Sequence, residues 1–112
     1  MGAVVLSNLI RAIAEVLGSL LTIYLWIVII AALLTWVNPD PRNPIVRFLY
    51  SVTEPLFQQV RRRLPFVYAA SIDFSPLVVI LAILFLQIAV VQTLRELAFR
   101  ISMAAAAGLP LA

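Results

Sequence analysis

The stretch Val16–Pro39, which reads VLGSLLTIYLWIVIIAALLTWVNP, contains 24 consecutive residues without a charged side chain. A helix rises about 1.5 Å per residue, so this run can cross a hydrocarbon core of about 30 Å. A second uncharged run, Phe74–Leu94, has 21 residues and meets the same requirement. Neither run alternates polar and apolar residues as a barrel strand does. The sequence therefore predicts an all-α membrane protein with transmembrane helices at residues 12–37 and 75–97, the second extending to residue 107.

The composition agrees with this class and excludes several functions. The 112 residues are 64% hydrophobic and 12% charged, about half the charged fraction of an average soluble domain. Histidine, cysteine and lysine are absent, which removes the usual general base, the thiol nucleophile and the common ligands of zinc and haem. The net charge of +3 comes from arginines that border apolar runs, not from a basic stripe. We therefore expect a single domain, residues 1–112, with no catalytic residue, cofactor, metal, nucleic-acid partner or small-molecule substrate.

Residues 38–73 are predicted to join the two helices of a hairpin through an amphipathic helix that lies in the membrane interface. Asn43 can cap this helix, with Pro44 at its first position. Its polar face comprises Arg47, Ser51, Glu54, Gln58 and Arg61, and its apolar face comprises Ile45, Phe48, Leu49, Val52, Leu56, Phe57 and Val60. Pro55 interrupts the helix, so a kink or two short helices are expected. The apolar face is predicted to face lipid, with a soluble linker as the alternative, and Arg61, Arg62 and Arg63 are predicted to contact lipid headgroups.

The start of the second transmembrane helix allows two interpretations. Ser75 can cap the helix, Pro76 can occupy its first position, and Asp73 adds negative charge at the positive end of the helix dipole. The nearby acid and hydroxyl also suggest a nucleophile, but no histidine or lysine is present to activate it. Helix capping is therefore the favoured interpretation.

Two sequence segments, NPDPRNPIVRFLYSVTEPLFQQVRRRLP and IDFSPL, resemble the YggT/YlmG family of small membrane proteins. The resemblance covers residues 15–97 and rests on the order of the proline motif, Glu54–Pro55, the arginines and the Asp73-x-Ser75-Pro76 motif. It implies two transmembrane helices joined by such a segment, in one copy of a unit that is often duplicated. The sequence departs from the family at residues 69–71, where Ala69, Ala70 and Ser71 replace glycines that many relatives have. Roles attributed to the family are cell division and nucleoid distribution, osmotic tolerance, and haem attachment in cytochrome complex assembly, with no shared catalytic residue.

Charged residues flank the two uncharged runs. In an antiparallel hairpin, the residues just before the first run would lie beside those just after the second. Glu15 precedes the first run, and Arg95 and Glu96 follow the second. We expect ion pairs between Glu15 and Arg95 and between Arg11 and Glu96 at the membrane boundary. A proton or ion relay is the alternative, because ionisable groups within a membrane often mark one.

Small and polar residues within the runs predict where helices pack. Candidate packing or partner-binding positions are Ala14, Gly18, Thr22, Ala82, Gln87, Ala89, Gln92 and Thr93. Such residues allow close approach of helices or hydrogen-bond across the contact. Gln87 and Gln92 would lie about 140° apart on a regular helix, so one of them is expected to face a partner.

The sequence thus favours a non-enzymatic assembly or scaffolding factor, or an accessory subunit, that binds other integral membrane proteins, itself, and membrane lipids. The competing predictions are an oligomeric channel and an enzyme or haem-handling factor. Weak candidates for haem ligands are Met103, Tyr24, Tyr50 and Tyr68. We expect the first run to be retained as a signal anchor in a bacterial inner membrane or a thylakoid-type membrane. Five central arginines against three near the ends favour a cytoplasmic central segment.

Overall fold

The computed structural model describes residues 1–69 and 72–108. Its first helix, α1, spans Gly2–Val37 and so begins well ahead of the predicted residue 12. Asn38 ends α1 in the left-handed conformation, with φ 57°, which asparagine tolerates better than most residues. Its N–H still donates to the Leu34 carbonyl at 3.0 Å. Pro39 has no N–H to donate, so the helix cannot continue.

The linking helix, α2, spans Pro44–Arg63 without interruption. Asn43 caps it, because its side-chain oxygen accepts a hydrogen bond from the Ile45 N–H at 2.9 Å. Pro55 lies inside the helix, so the expectation of two short helices is wrong. Proline removes one backbone hydrogen bond, the one to the Ser51 carbonyl. Ser51 is exposed, so that carbonyl can be solvated and the helix persists.

A short turn region follows α2. It contains a 3-10 helix, Pro65–Val67, and two antiparallel strands, β1 at Tyr68–Ala69 and β2 at Ile72–Asp73. Tyr68 lies opposite Asp73 in this pair. The predicted departure from the family at residues 69–71 falls partly on Ala70 and Ser71, which lie outside the described residues.

The second long helix has three parts: α3 at Ser75–Leu86, a π-helical segment at Gln87–Gln92, and α4 at Thr93–Ala106. The π-helical segment was not predicted. The hydrogen bonds of this segment follow an i→i+5 pattern, which has more residues per turn than an α-helix. The predicted angle of 140° between Gln87 and Gln92 is therefore wrong, because it was calculated for a regular α-helix. Helix α4 ends at Ala106, close to the predicted residue 107. Gly108, just beyond this end, has φ 71°, a conformation that side chains disfavour.

These elements confirm the predicted fold class: the chain is helical, with two helices long and apolar enough to span a membrane and a linking helix between them. The chain forms two compact units, Met1–Leu21 with Phe85–Ala112, and Thr22–Leu84. Buried residues of the first unit are Ser7, Ala14, Gly18, Val91 and Ala98. Those of the second unit are Val28, Ala31, Val46, Leu49, Thr53, Phe57, Ser75, Pro76, Val79 and Ile83.

The buried face of α2 only partly matches the predicted apolar face. Leu49 and Phe57 are buried as part of that face, but Val46 and Thr53 share their burial. Thr53 is accommodated because its hydroxyl donates to the Leu49 carbonyl at 2.8 Å. Four large apolar side chains of the predicted apolar face are exposed instead: Ile45, Phe48, Val52 and Leu56. Helix α2 therefore has one apolar strip within the core of its unit and another on its surface.

Candidate functional site

Arg61 is the centre of an ionic cluster that joins α2 to the start of α3. Its Nη1 donates to Glu54 Oε1 at 2.6 Å, and its Nε donates to Asp73 Oδ2 at 2.9 Å. Its Nη2 makes a further short hydrogen bond to the same Asp73 oxygen. The other oxygen of Asp73, Oδ1, accepts from the Ser75 N–H at 2.9 Å. We call Glu54, Arg61, Asp73 and Ser75 the Arg61 cluster.

Local structure explains how these residues meet. Glu54 and Arg61 are seven residues apart on α2, which is about two helical turns, so both side chains lie on one side of the helix. Asp73 ends β2 and lies two residues before Ser75, the first residue of α3. Its carboxylate can therefore bind Arg61 while it caps the first free N–H of the helix. Asp73, not Ser75, supplies the cap, because Ser75 is itself the first residue of α3. Pro76 is accordingly the second residue of the helix, not the first as predicted.

The Ser75 hydroxyl takes no part in this network. The side chain is fully buried, and its Oγ has no hydrogen-bond partner in the part of the chain that the structure describes. A nucleophilic serine requires a base that can take its proton. The neighbouring Asp73 carboxylate is bound by Arg61 and has a lowered pKa, so it is a poor base. The cluster is thus arranged to hold two helices in register and to neutralise charge.

The electrostatics of the cluster follow from these bonds. Partial burial alone would raise the pKa of Asp73, but hydrogen bonds from Arg61 and Ser75 and the guanidinium charge outweigh it and lower this pKa. Burial alone would lower the pKa of Arg61, but its bonds to Asp73 and Glu54 raise it above its usual value. Both groups are therefore held in their charged forms at neutral pH.

This arrangement predicts a loss of stability in acid. Because the folded-state pKa of Asp73 is lowered, its contribution is complete above the unfolded-state pKa of about 3.9 and is lost as the pH falls through the lower folded-state value. Arg61 stays protonated throughout. The midpoint temperature of thermal unfolding, measured in a non-ionic detergent, should therefore be lower at pH 3 than at pH 7. The Asp73→Asn variant should be less stable at pH 7 and less sensitive to acid, and an equal pH dependence in this variant would contradict the prediction.

A second contact fixes α2 to α1. The Tyr24 hydroxyl donates to the Val52 carbonyl at 2.9 Å. The sequence indicates this tyrosine only as a weak candidate for a haem ligand. A tyrosine hydroxyl within an apolar helix needs a hydrogen-bond partner, and a carbonyl of an adjacent helix satisfies it.

The charged residues near the chain ends form a separate site within the first unit. Arg95 Nε donates to Glu15 Oε1 at 3.0 Å, which is one of the two predicted ion pairs. The other pair, between Arg11 and Glu96, does not occur among the described residues. Glu96 follows Arg95 by one residue, so a helix directs it about 100° away from the side that meets Glu15. Arg11 instead lines a cavity of about 270 Å³.

The other predicted site residues are placed as follows. Arg62 and Arg63 are exposed, and their contact with lipid stays a prediction, whereas the Arg61 guanidinium is bound to two carboxylates. Ala14 and Gly18 are buried within the first unit, and Ala82, Ala89 and Gln92 are exposed. Thr22 is exposed and Gln87 is half-buried. The predicted packing positions Ala82, Ala89 and Gln92 of the second long helix are therefore not buried within the described chain.

These features define a small helical protein with two potential membrane spans and a linking helix fixed by an ionic cluster. The chain matches the CCB3/YggT family over residues 10–94 and belongs to that family, as the resemblance had indicated. The Arg61 cluster lies entirely within the matched range.

The similar curated proteins are themselves uncharacterised. Uncharacterized protein YggT of Escherichia coli is 34% identical over 70 residues, which are 62% of this chain and 36% of that protein. An uncharacterised protein of Haemophilus influenzae is 37% identical over 78 residues, which are 70% of this chain and 41% of that protein. One of Pseudomonas aeruginosa is 29% identical over 93 residues, 83% of this chain and 46% of that protein. The chain spans less than half the length of these relatives. No solved structure matches it.

Proposed function

We propose that this chain is a non-enzymatic integral membrane protein that acts as an assembly or scaffolding factor, or as an accessory subunit, of a larger membrane complex. The observation that carries this proposal is the large uncovered surface of its two long helices. Each helix contains an apolar stretch of 18 residues, and only 17% of that stretch is buried. Lipid can cover apolar side chains, but a small or amide side chain gains more from an adjacent helix.

The second long helix presents such residues on its surface. Ala82, Ala89 and Gln92 are all exposed, and the Gln92 amide makes no hydrogen bond to any described residue. An amide in or near hydrocarbon is costly without a hydrogen-bond partner. A transmembrane helix of another protein could satisfy Gln92 and pack closely against Ala89. This supports a partner surface at Ala89 and Gln92 of the first unit.

Substitution of Ala89 tests the proposed surface. Ala89→Trp should reduce the amount of associated membrane protein recovered in a mild detergent by about tenfold, because a large ring prevents close approach of a partner helix. The matched control is Ile88→Trp, at an adjacent residue that is 69% exposed. The measurement is the size and composition of the complex purified from the native membrane. A lone monomer for the unmodified protein, or equal losses in both variants, would contradict the proposal.

An oligomeric channel is the competing function, favoured by the exposed Gln92 and Thr93, which could line a pore between copies of the chain. Their number is small for a pore lining. Ion or solute flux into liposomes that contain only this chain would support the channel and contradict the scaffolding role.

The proposed location is a bacterial inner membrane, or a thylakoid-type membrane, with α2 on the cytoplasmic side. The excess of arginines in residues 38–73 supports this orientation. Because the chain has no cysteine, a single cysteine introduced at exposed Arg42 can be labelled selectively. Labelling of intact cells with a membrane-impermeant reagent should leave this cysteine unmodified.

A further inference from the structure

We propose that the cavity beside Arg11 binds the phosphate group of an anionic phospholipid. The cavity has a volume of about 270 Å³ and lies within the first unit. Its lining residues are Ser7, Asn8, Arg11, Glu15, Arg95, Ala98, Phe99 and Ser102. This site is distinct from the helix surface proposed to contact other proteins, and it does not depend on that function.

The charge of the lining favours an anion. Two guanidinium groups face one carboxylate, that of Glu15, which is already bound to Arg95 Nε at 3.0 Å. Arg11 makes no ion pair with any described acidic residue. Its guanidinium offers several N–H donors in a plane, a geometry that suits phosphate oxygens. The lining therefore carries one positive charge that no carboxylate of the described chain neutralises.

The neutral residues of the cavity complement a headgroup. Asn8 and Ser102 supply polar groups on opposing helices, and Ser7 is 5% exposed. The Ser7 hydroxyl donates to the Val4 carbonyl at 2.9 Å, so its oxygen can still accept a hydrogen bond from a ligand hydroxyl. Phe99 is 65% exposed and gives the cavity an apolar wall. A phosphate that carries a glycerol group would use both kinds of surface.

The position of the cavity along the helices indicates a lipid instead of a soluble phosphate. The Glu15–Arg95 pair stands at the first charged residues outside the two uncharged runs, so it marks the edge of the hydrocarbon. Arg11 lies one helical turn farther out, about 6 Å from that edge. The headgroup region of a bilayer extends about 5 to 7 Å beyond each side of the hydrocarbon core. Arg11 is therefore at the depth of lipid phosphates.

The test is lipid binding by the purified full chain in a neutral detergent, measured by native mass spectrometry during titration with phosphatidylglycerol. Arg11→Gln should weaken the apparent affinity about tenfold, which corresponds to about 1.4 kcal/mol. The matched control is Arg100→Gln, which removes an equal charge from an exposed arginine that does not line the cavity. This control should bind as the unmodified protein does.

Further arms distinguish the alternatives. Arg11→Lys keeps the charge but lacks the planar donors, so its affinity should lie between those of Arg11→Gln and the unmodified protein. Circular dichroism will show whether each variant keeps its helix content. Phosphatidylcholine and glycerol 1-phosphate should bind at least tenfold more weakly than phosphatidylglycerol. Equal binding of glycerol 1-phosphate would overturn the assignment to a lipid. Equal affinities of Arg11→Gln and the unmodified protein, or equal losses in Arg11→Gln and Arg100→Gln, would overturn the site itself.

Discussion

Replacing Arg61 by methionine is expected to lower the free energy of unfolding by about 2 kcal/mol. The change removes the hydrogen bonds to Glu54 and Asp73 and leaves two carboxylates without their shared cation. The side chains of Arg61 and Asp73 are only 31% and 23% exposed. Water therefore cannot fully replace the guanidinium. This places the effect above that of a surface ion pair and below that of a fully buried one.

Two control substitutions make this expectation specific. Arg62→Met removes the same charge from the next residue, which is exposed, and should change stability by less than about 0.5 kcal/mol. Ser75→Ala keeps the N–H that Asp73 binds and removes a hydroxyl that has no hydrogen-bond partner among the described residues, so it should not destabilise the protein. Thermal unfolding in a non-ionic detergent measures all three variants. Similar losses in Arg61→Met and Arg62→Met would show that total charge matters and the cluster does not.

Replacing Gly18 by leucine is expected to cost about 3 kcal/mol. A Cβ atom at this glycine would lie 3.2 Å from Val91 Cγ1 and 3.3 Å from Arg95 Nη2. Val91 is only 2% exposed and has little room to move. The remaining atoms of leucine would separate the two helix segments of the first unit and move Arg95 away from Glu15.

Ser19→Leu is the matched control for Gly18→Leu, because Ser19 is the adjacent residue and is exposed. Both variants introduce leucine, and the gain in helix propensity is larger where glycine is replaced, so a loss of stability confined to the Gly18 variant must come from packing. The Ser19 variant should unfold at the temperature of the unmodified protein or slightly above it. The interpretation fails if both variants unfold at the same temperature.

The helical class could be predicted from the sequence because it depends on the length of the uncharged runs, which a bilayer requires. The beginning of α1 could not be located in the same way. The uncharged run begins only after Arg11 and Glu15. These two residues nevertheless do not interrupt a helix, because arginine and glutamate both have a good helix propensity. The structure accordingly extends α1 to Gly2.

The packing of α2 was harder to predict because its apolar residues form a broad surface. Periodicity shows that Leu49 and Phe57 share a side with Phe48 and Leu56, but it does not show which strip enters the core. The burial of Thr53 depends on its bond to the Leu49 carbonyl, which a polarity pattern does not reveal. Contacts with other helices determine which strip of α2 is buried.

The Arg61 cluster was partly visible in the sequence. Glu54 and Arg61 were placed on one face of α2, and their seven-residue spacing could have indicated that they act together. Three consecutive arginines look alike in the sequence, however, and their different roles depend on the direction of each side chain. Arg61 is directed toward Asp73, while Arg62 and Arg63 are exposed.

The π-helical segment at Gln87–Gln92 also restricts how this sequence can vary. Its wider turns hold about one more residue than α-helical turns would, and each added residue turns all later side chains by about 100°. Arg95 follows the segment by three residues and, in the rotation that the segment sets, meets Glu15. A homologue that had lost one residue here would have to move its arginine or its acid as well. Segment length and charge position should therefore covary among homologues.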